Sequence, residues 1–372
     1  MPQVIVTEPP TTIDAFRGTD ERCILTQAAS LLAIGLQLSD RGSLLPDEDL
    51  AALKLPTAPP LKARTNSESR KQVLQRRFGT SVGSPIPVGE DVTWNPEIFS
   101  VLAYEHVSKA TELSAIDLLE ACLRHPHELV RVAAATAYHE WSSELEKVTR
   151  ILEQGTRSAE LMTRQVAATG LAQVSPSNSR LTDFQQSSGR AASAGSGQTA
   201  LLIHGTWAQG ATWWQPNGDL HAYLLQSLRQ DLYNNNDRYF WSGGYSDPAR
   251  ALAASDLLRW VQTHNEQGLD LFTHSHGGSV AMLASNQGVS IGKLVMLSCP
   301  VHYNQYHPNF ANIKKVISIR IHLDLVILAD RGGQRFPDRR ITENVLPIWF
   351  DHTATHNPAV WKNSTYNIAG MV

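Results

Sequence analysis

Thr273-His-Ser-His-Gly-Gly278 is the stretch whose residue types and spacing best suit chemistry. A short apolar run, Leu269 to Phe272, leads into it, and an apolar, helix-compatible run, Ser279 to Ala284, follows. Strand, sharp turn of small residues and helix can together hold a serine hydroxyl at the tip of a strained turn, which makes Ser275 a candidate nucleophile. The serine would stand at the start of the helix, where backbone N–H groups without intrahelical partners can receive an oxyanion.

A serine hydroxyl is too weak an acid to attack a carbonyl unaided. Three supports are therefore needed: a base, an acid that orients it, and an oxyanion hole. In a parallel sheet such groups belong at the C-terminal ends of strands. One oxyanion donor is expected from His276, the residue after the candidate nucleophile. The other is expected from the loop after an earlier strand. Leu201-Leu-Ile-His-Gly-Thr-Trp207 reads as such a strand and loop, with Thr206 or Trp207 supplying the N–H and Gly205 permitting the turn. The acid is expected just after Val316–Ile321; Asp324 is favoured there over Asp330, whose Gly-rich surroundings suit an ordinary surface turn. The base is expected after the last strand, which ends near Phe350. With 14 histidines in the chain, position must decide. His352 lies directly past the strand end, and His356 is the alternative, placed just before an Asn357-Pro358 pair that suits a helix start.

These residues need strands to hold them. Short uncharged runs are expected as strands at Thr199–His204, Leu269–Thr273, Lys293–Leu297, Val316–Ile321 and Val345–Phe350, with room for helices between them. That alternation predicts an α/β domain over 199–372, built on a parallel sheet covered on both faces. Upstream, the uncharged stretch Cys23–Leu38 lies in an N-terminal helical segment, 1–55, and is read as a buried or interface helix, too short and too polar for a comfortable bilayer span. A Pro-, Ser- and Arg-rich linker is expected over 56–95, a helical region over 96–174, and a second flexible linker over 175–198.

Within the helical region an echo recurs 33 residues apart: Leu119-Glu120, Arg124, Arg131 and Ala134-Ala-Thr136 return as Leu152-Glu153, Arg157, Arg164 and Ala167-Ala-Thr169. With Val130-Arg-Val-Ala-Ala134, it resembles HEAT-type repeats, whose stacked helix pairs offer surfaces to protein partners. Residues 199–372 resemble the α/β-hydrolase superfamily, of the bacterial lipase and serine-esterase type. The resemblance rests on His204-Gly-Thr206, His274-Ser-His-Gly-Gly278 and Trp241-Ser-Gly243, and on the chain order Ser, Asp, His. It departs at Thr273, where the family's elbow carries a glycine, and the absence of evident strands before Thr199 points to a shortened sheet. It implies hydrolysis of a small-molecule or lipid ester, with thioester or amide cleavage, or a catalytically inactive interaction protein, as alternatives. Trp207, Trp213-Trp214 and Trp241 could line an acyl pocket or pack the loops over the sheet.

Composition narrows the field. A net charge of −3 argues against a nucleic-acid binder. Three widely spaced cysteines, Cys23, Cys122 and Cys299, give neither a disulfide framework nor a metal spacing. His125-Pro-His127 and His274-Ser-His276 lack a third ligand at a recognisable spacing, and no cofactor or metal is expected. The N-terminus lacks the basic and apolar regions of a signal peptide, and a cytoplasmic location is expected.

Overall fold

The computed structural model describes residues 5–58, 96–142, 144–182, 199–234 and 238–372. Most of the linker expected at 56–95, and that at 175–198 from residue 183 onward, lies outside the described residues. The chain forms two compact units, Met1–Asn178 with Leu328–Arg331, and Ser179–Ile327 with Gly332–Val372.

The first unit is helical: α1 (Thr12–Ala15), α2 (Glu21–Leu38), α3 (Asp47–Ala52), α4 (Pro96–Lys109), α5 (Glu112–Cys122), α6 (Glu128–Tyr138), α7 (Leu145–Gly155) and α8 (Leu161–Val174). Asp20 caps α2 by accepting the Cys23 N–H at 2.9 Å. Beyond its first turn α2 carries no charge, and it is buried from Ala28 to Leu38. A helix that is apolar nearly all round must be enclosed. Here α2 packs on α6, with Gly35 against Ala137, so residues 1–55 and 96–174, read separately in the sequence, contribute to one unit. The 33-residue echo has a structural counterpart. Arg131 donates to the carbonyls of His125 and Pro126, both at 2.6 Å, and Arg164 does the same to Ser158 and Ala159 at 2.7 and 2.8 Å. Each arginine thus satisfies loop carbonyls ahead of its own helix.

The second unit is mixed α/β. Its sheet is all parallel and five-stranded, in the order β1 (Ala200–Ile203), β2 (Leu269–His274), β3 (Ile291–Leu297), β4 (Ile313–His322) and β5 (Ile341–Trp349). All five expected strands are present. β4 and β5 begin three and four residues earlier than expected, because lysines and a glutamate at their entrances broke the apolar runs. The helices are α9 (Ser179–Thr182), α10 (Asp219–Ser227), α11 (Asp247–His264), α12 (Gly277–Asn286), α13 (Leu325–Ala329, its last two residues counted with the first unit), α14 (Pro358–Lys362) and α15 (Ile368–Met371).

Side chains alternate across the pleat, so each strand feeds two cores. Leu201, Ile203, Leu271, Met296 and Val316 pack with Ala254 and Leu257 of α11 and Val280 and Ala281 of α12. On the opposite face, register aligns Leu202, Phe272, Val295 and Ile317 in one row across four strands. That row packs with Leu220 and Leu224 of α10, Trp361 of α14 and Ile368 of α15. Each such buried side chain contributes roughly 1.5–3 kcal/mol. Among the described residues no helix is long and apolar enough to cross a membrane.

Candidate active site

β2 runs into α12 through Ser275, which holds φ at +52°, a left-handed conformation that is uncommon outside glycine. The strain is tolerated because the Ser275 N–H still donates to Leu297 O at 2.9 Å, extending the β2–β3 ladder one residue past the strand. Thr273, where the resembling family has glycine, is fully buried, and its hydroxyl donates to Val295 O at 3.0 Å. A threonine therefore fits here because β3 offers it an acceptor.

The same backbone state recurs along this edge of the sheet. Ser275, Ser298, Leu323 and Phe350, each directly following its strand, have φ of +52°, +44°, +41° and +74°. The ladder continues through Ser298, whose N–H donates to Ile319 O, and Phe350, whose N–H donates to His322 O.

Two glycines let the β1 loop lie against this turn. A Cβ on Gly205 would stand 2.7 Å from Ser275 Cβ, and one on Gly277 would stand 2.7 Å from the carbonyl oxygens of both Ile203 and His204. The loop is braced from Trp241–Gly243. The Trp241 indole donates to His204 O at 2.9 Å, and the Trp207 N–H donates to Gly243 O at 2.8 Å. This corrects the sequence expectation for Trp207: its N–H is engaged, so Thr206 is the donor candidate of that loop. His276 stands at the N-cap of α12, the helix end rich in outward-facing N–H groups.

Asp324 and His352 meet at the ends of β4 and β5, with His352 Nδ1 2.7 Å from Asp324 Oδ2. The other carboxylate oxygen accepts the N–H groups of Val326 and Ile327 at 3.0 and 3.2 Å, and Gln334 accepts the Asp324 N–H. Short backbone bonds thus fix the carboxyl group and leave one oxygen for the imidazole. Asp330, the rival acid, is counted in the first unit and is not the partner taken by His352 Nδ1.

His356 has a different setting. It stacks on Trp213 at 4.3 Å, and burial pushes its pKa down to about 3. His274 lies between the two, its ring 4.6 Å from each and its Nε2 3.1 Å from His352 O. Burial also holds His274 well below the ordinary histidine range, and His204 at about 4. Asp351 is raised by burial despite the N–H and hydroxyl it accepts from Thr353. Of the four tryptophans considered for a pocket, Trp214 and Trp241 belong to the cores, Trp213 is half-buried against the same core as Trp214, and Trp207 is half-buried.

Sequence reasoning missed His274 and Gln334 as parts of this arrangement. For His274 the one available signal is its place beside Ser275; for Gln334 there is none. Comparison of the chain with protein-family models, with curated proteins and with solved structures finds no match. The chain is thus a mixed α/β unit on a five-stranded parallel sheet, accompanied by a helical unit.

Proposed function

We propose that this chain is a serine hydrolase of the α/β-hydrolase type that cleaves carboxylic esters through Ser275, His352 and Asp324. The observation that carries the reading is the 2.7 Å bond from His352 to Asp324, with the His352 carbonyl 3.1 Å from Nε2 of His274, the residue before left-handed Ser275. His352 Nε2 takes the Ser275 proton as Oγ attacks the ester carbon. The tetrahedral oxyanion is received by the N–H groups of His276 and Thr206, worth about 3–4 kcal/mol per donor. His352 then gives the proton to the departing alcohol, leaving an acyl-serine. Water repeats the sequence and releases the acid. Asp324 holds the imidazole tautomer and stabilises its charged form.

Half-buried Trp207, stacked on Tyr245, is the side chain we assign to an acyl group of some apolar size. Thioester and amide cleavage use the same triad and differ in pocket shape. The helical unit, with its HEAT-like arginines, is the surface we assign to a protein partner. The test is a fluorophosphonate probe read by peptide mass. Label on Ser275, absent from Ser275→Ala, is expected. Folded, unlabelled wild type would overturn the reading in favour of a non-catalytic interaction protein.

A further inference from the structure

We infer that His274 is a positioning residue for the proposed base: its Nε2–H holds the His352 backbone so that the imidazole keeps its bond to Asp324 through the reaction. The inference deepens the Ser275–His352–Asp324 reading and rests on it.

His274 is the last residue of β2 and immediately precedes the nucleophile. Its side chain spans to the loop after β5, where Nε2 lies 3.1 Å from His352 O, 78 positions away in the chain. A carbonyl can only accept, so the proton is on His274 Nε2. The ring adds a wall: it meets His352 at 61°, His356 at 83° and Trp213 at 73°, the last with ring centroids 5.4 Å apart. Elsewhere the base loop is tied by Phe350 N–H to His322 O, by the Asp351–Thr353 turn and by Thr355 Oγ1 to Ser298 Oγ at 3.1 Å. None of these reaches the His352 carbonyl, next to the side chain that must stay aligned.

The charge at this position matters as well. His352 would gain a positive charge with each proton it takes, and a charged neighbour would oppose that. His274, whose ring packs on His352, and His356, whose ring packs on His274, are both held neutral by burial, as is His204. A neutral donor that tethers the carbonyl without competing for the proton is what a base in this position requires. Small displacements of a catalytic group cost up to about 100-fold in rate.

The test compares full-length wild type, His274→Gln and His274→Phe with p-nitrophenyl butyrate. Glutamine can place an N–H near the Nε2 position; phenylalanine fills the volume without a donor. His274→Phe should lose about 10- to 100-fold in kcat with KM within about 2-fold, and His274→Gln should recover most of it. Equal losses in both variants, a change confined to KM, or wild-type activity in His274→Phe would each overturn the inference. If His274→Phe does not fold, the downfield Nδ1–H resonance of His352 decides. Sharp in His274→Gln and broadened in His274→Asn, whose amide is too short, it supports the tether; equally sharp in both, it refutes it. A wild type that neither turns over nor labels at Ser275 instead fails the triad itself, and the inference with it.

Discussion

Asp324→Asn preserves the shape of its side chain and removes the acceptor that selects the His352 tautomer. It should lower kcat by about 10⁴-fold with little change in thermal midpoint, a split that steady-state kinetics and calorimetry can measure together. His356→Phe keeps a ring against Trp213 and touches no carboxylate, so its kcat should stay within about 3-fold of wild type. A large loss there and a small one in Asp324→Asn would reverse the assignment of the base. At this scale the turn at Ser275 was legible because its signal is local, a small-residue run between a strand and a helix. The choice between His352 and His356 was not, since it depends on which ring faces Asp324, 28 positions away from His352 in the chain. The choice between Thr206 and Trp207 was left open for the same reason: the carbonyl that occupies the Trp207 N–H belongs to Gly243, in a segment the sequence does not connect to that loop.

Between β2 and α12 the turn is set by contact as much as by dihedral angle. Gly277→Ala would drive a methyl to 2.7 Å from two backbone oxygens of the β1 segment, and neither oxygen is the end of a flexible side chain. Urea unfolding should show a loss of about 1–3 kcal/mol, and fluorophosphonate labelling of the folded fraction should slow. Unchanged stability would mean that the loop can retreat without cost. The strands themselves were readable because a sheet covered on both faces demands continuous apolar runs such as Leu294–Leu297. Their starts were less so: Lys314 and Lys315 ride on β4 where it is exposed, and Glu343 on β5 pairs with Arg320 at 3.1 Å, a partnership invisible until the strands are aligned. The echo in the helical unit was visible as spacing, but the hydrogen bonds of Arg131 and Arg164 that explain it depend on loop geometry.

Across the whole molecule, burial keeps histidines neutral in both units. His106, His125 and His204 are lowered from 6.5 to about 4, and His356 to about 3. The unfolded chain binds protons at these sites first, so their contribution to stability is complete above about pH 6.5 and is lost as pH falls toward 4. The thermal midpoint should therefore drop steeply through that window, and a flat profile would show that these imidazoles are not held as described. The sequence could not announce this, since a buried and an exposed histidine read alike. Nor could it show that Leu328–Arg331 would be grouped with the helical unit. The left-handed residues after β2, β3, β4 and β5 carry a final consequence. Each costs about 1–2 kcal/mol, and that penalty is met once, when the chain folds. In the proposed reaction, water around a developing oxyanion would have to reorient at every turnover, whereas a backbone already locked at its strand ends has no such reorganisation left to perform. New specificities on this scaffold would accordingly arise in the flanking loops, with the sheet edge left as it is.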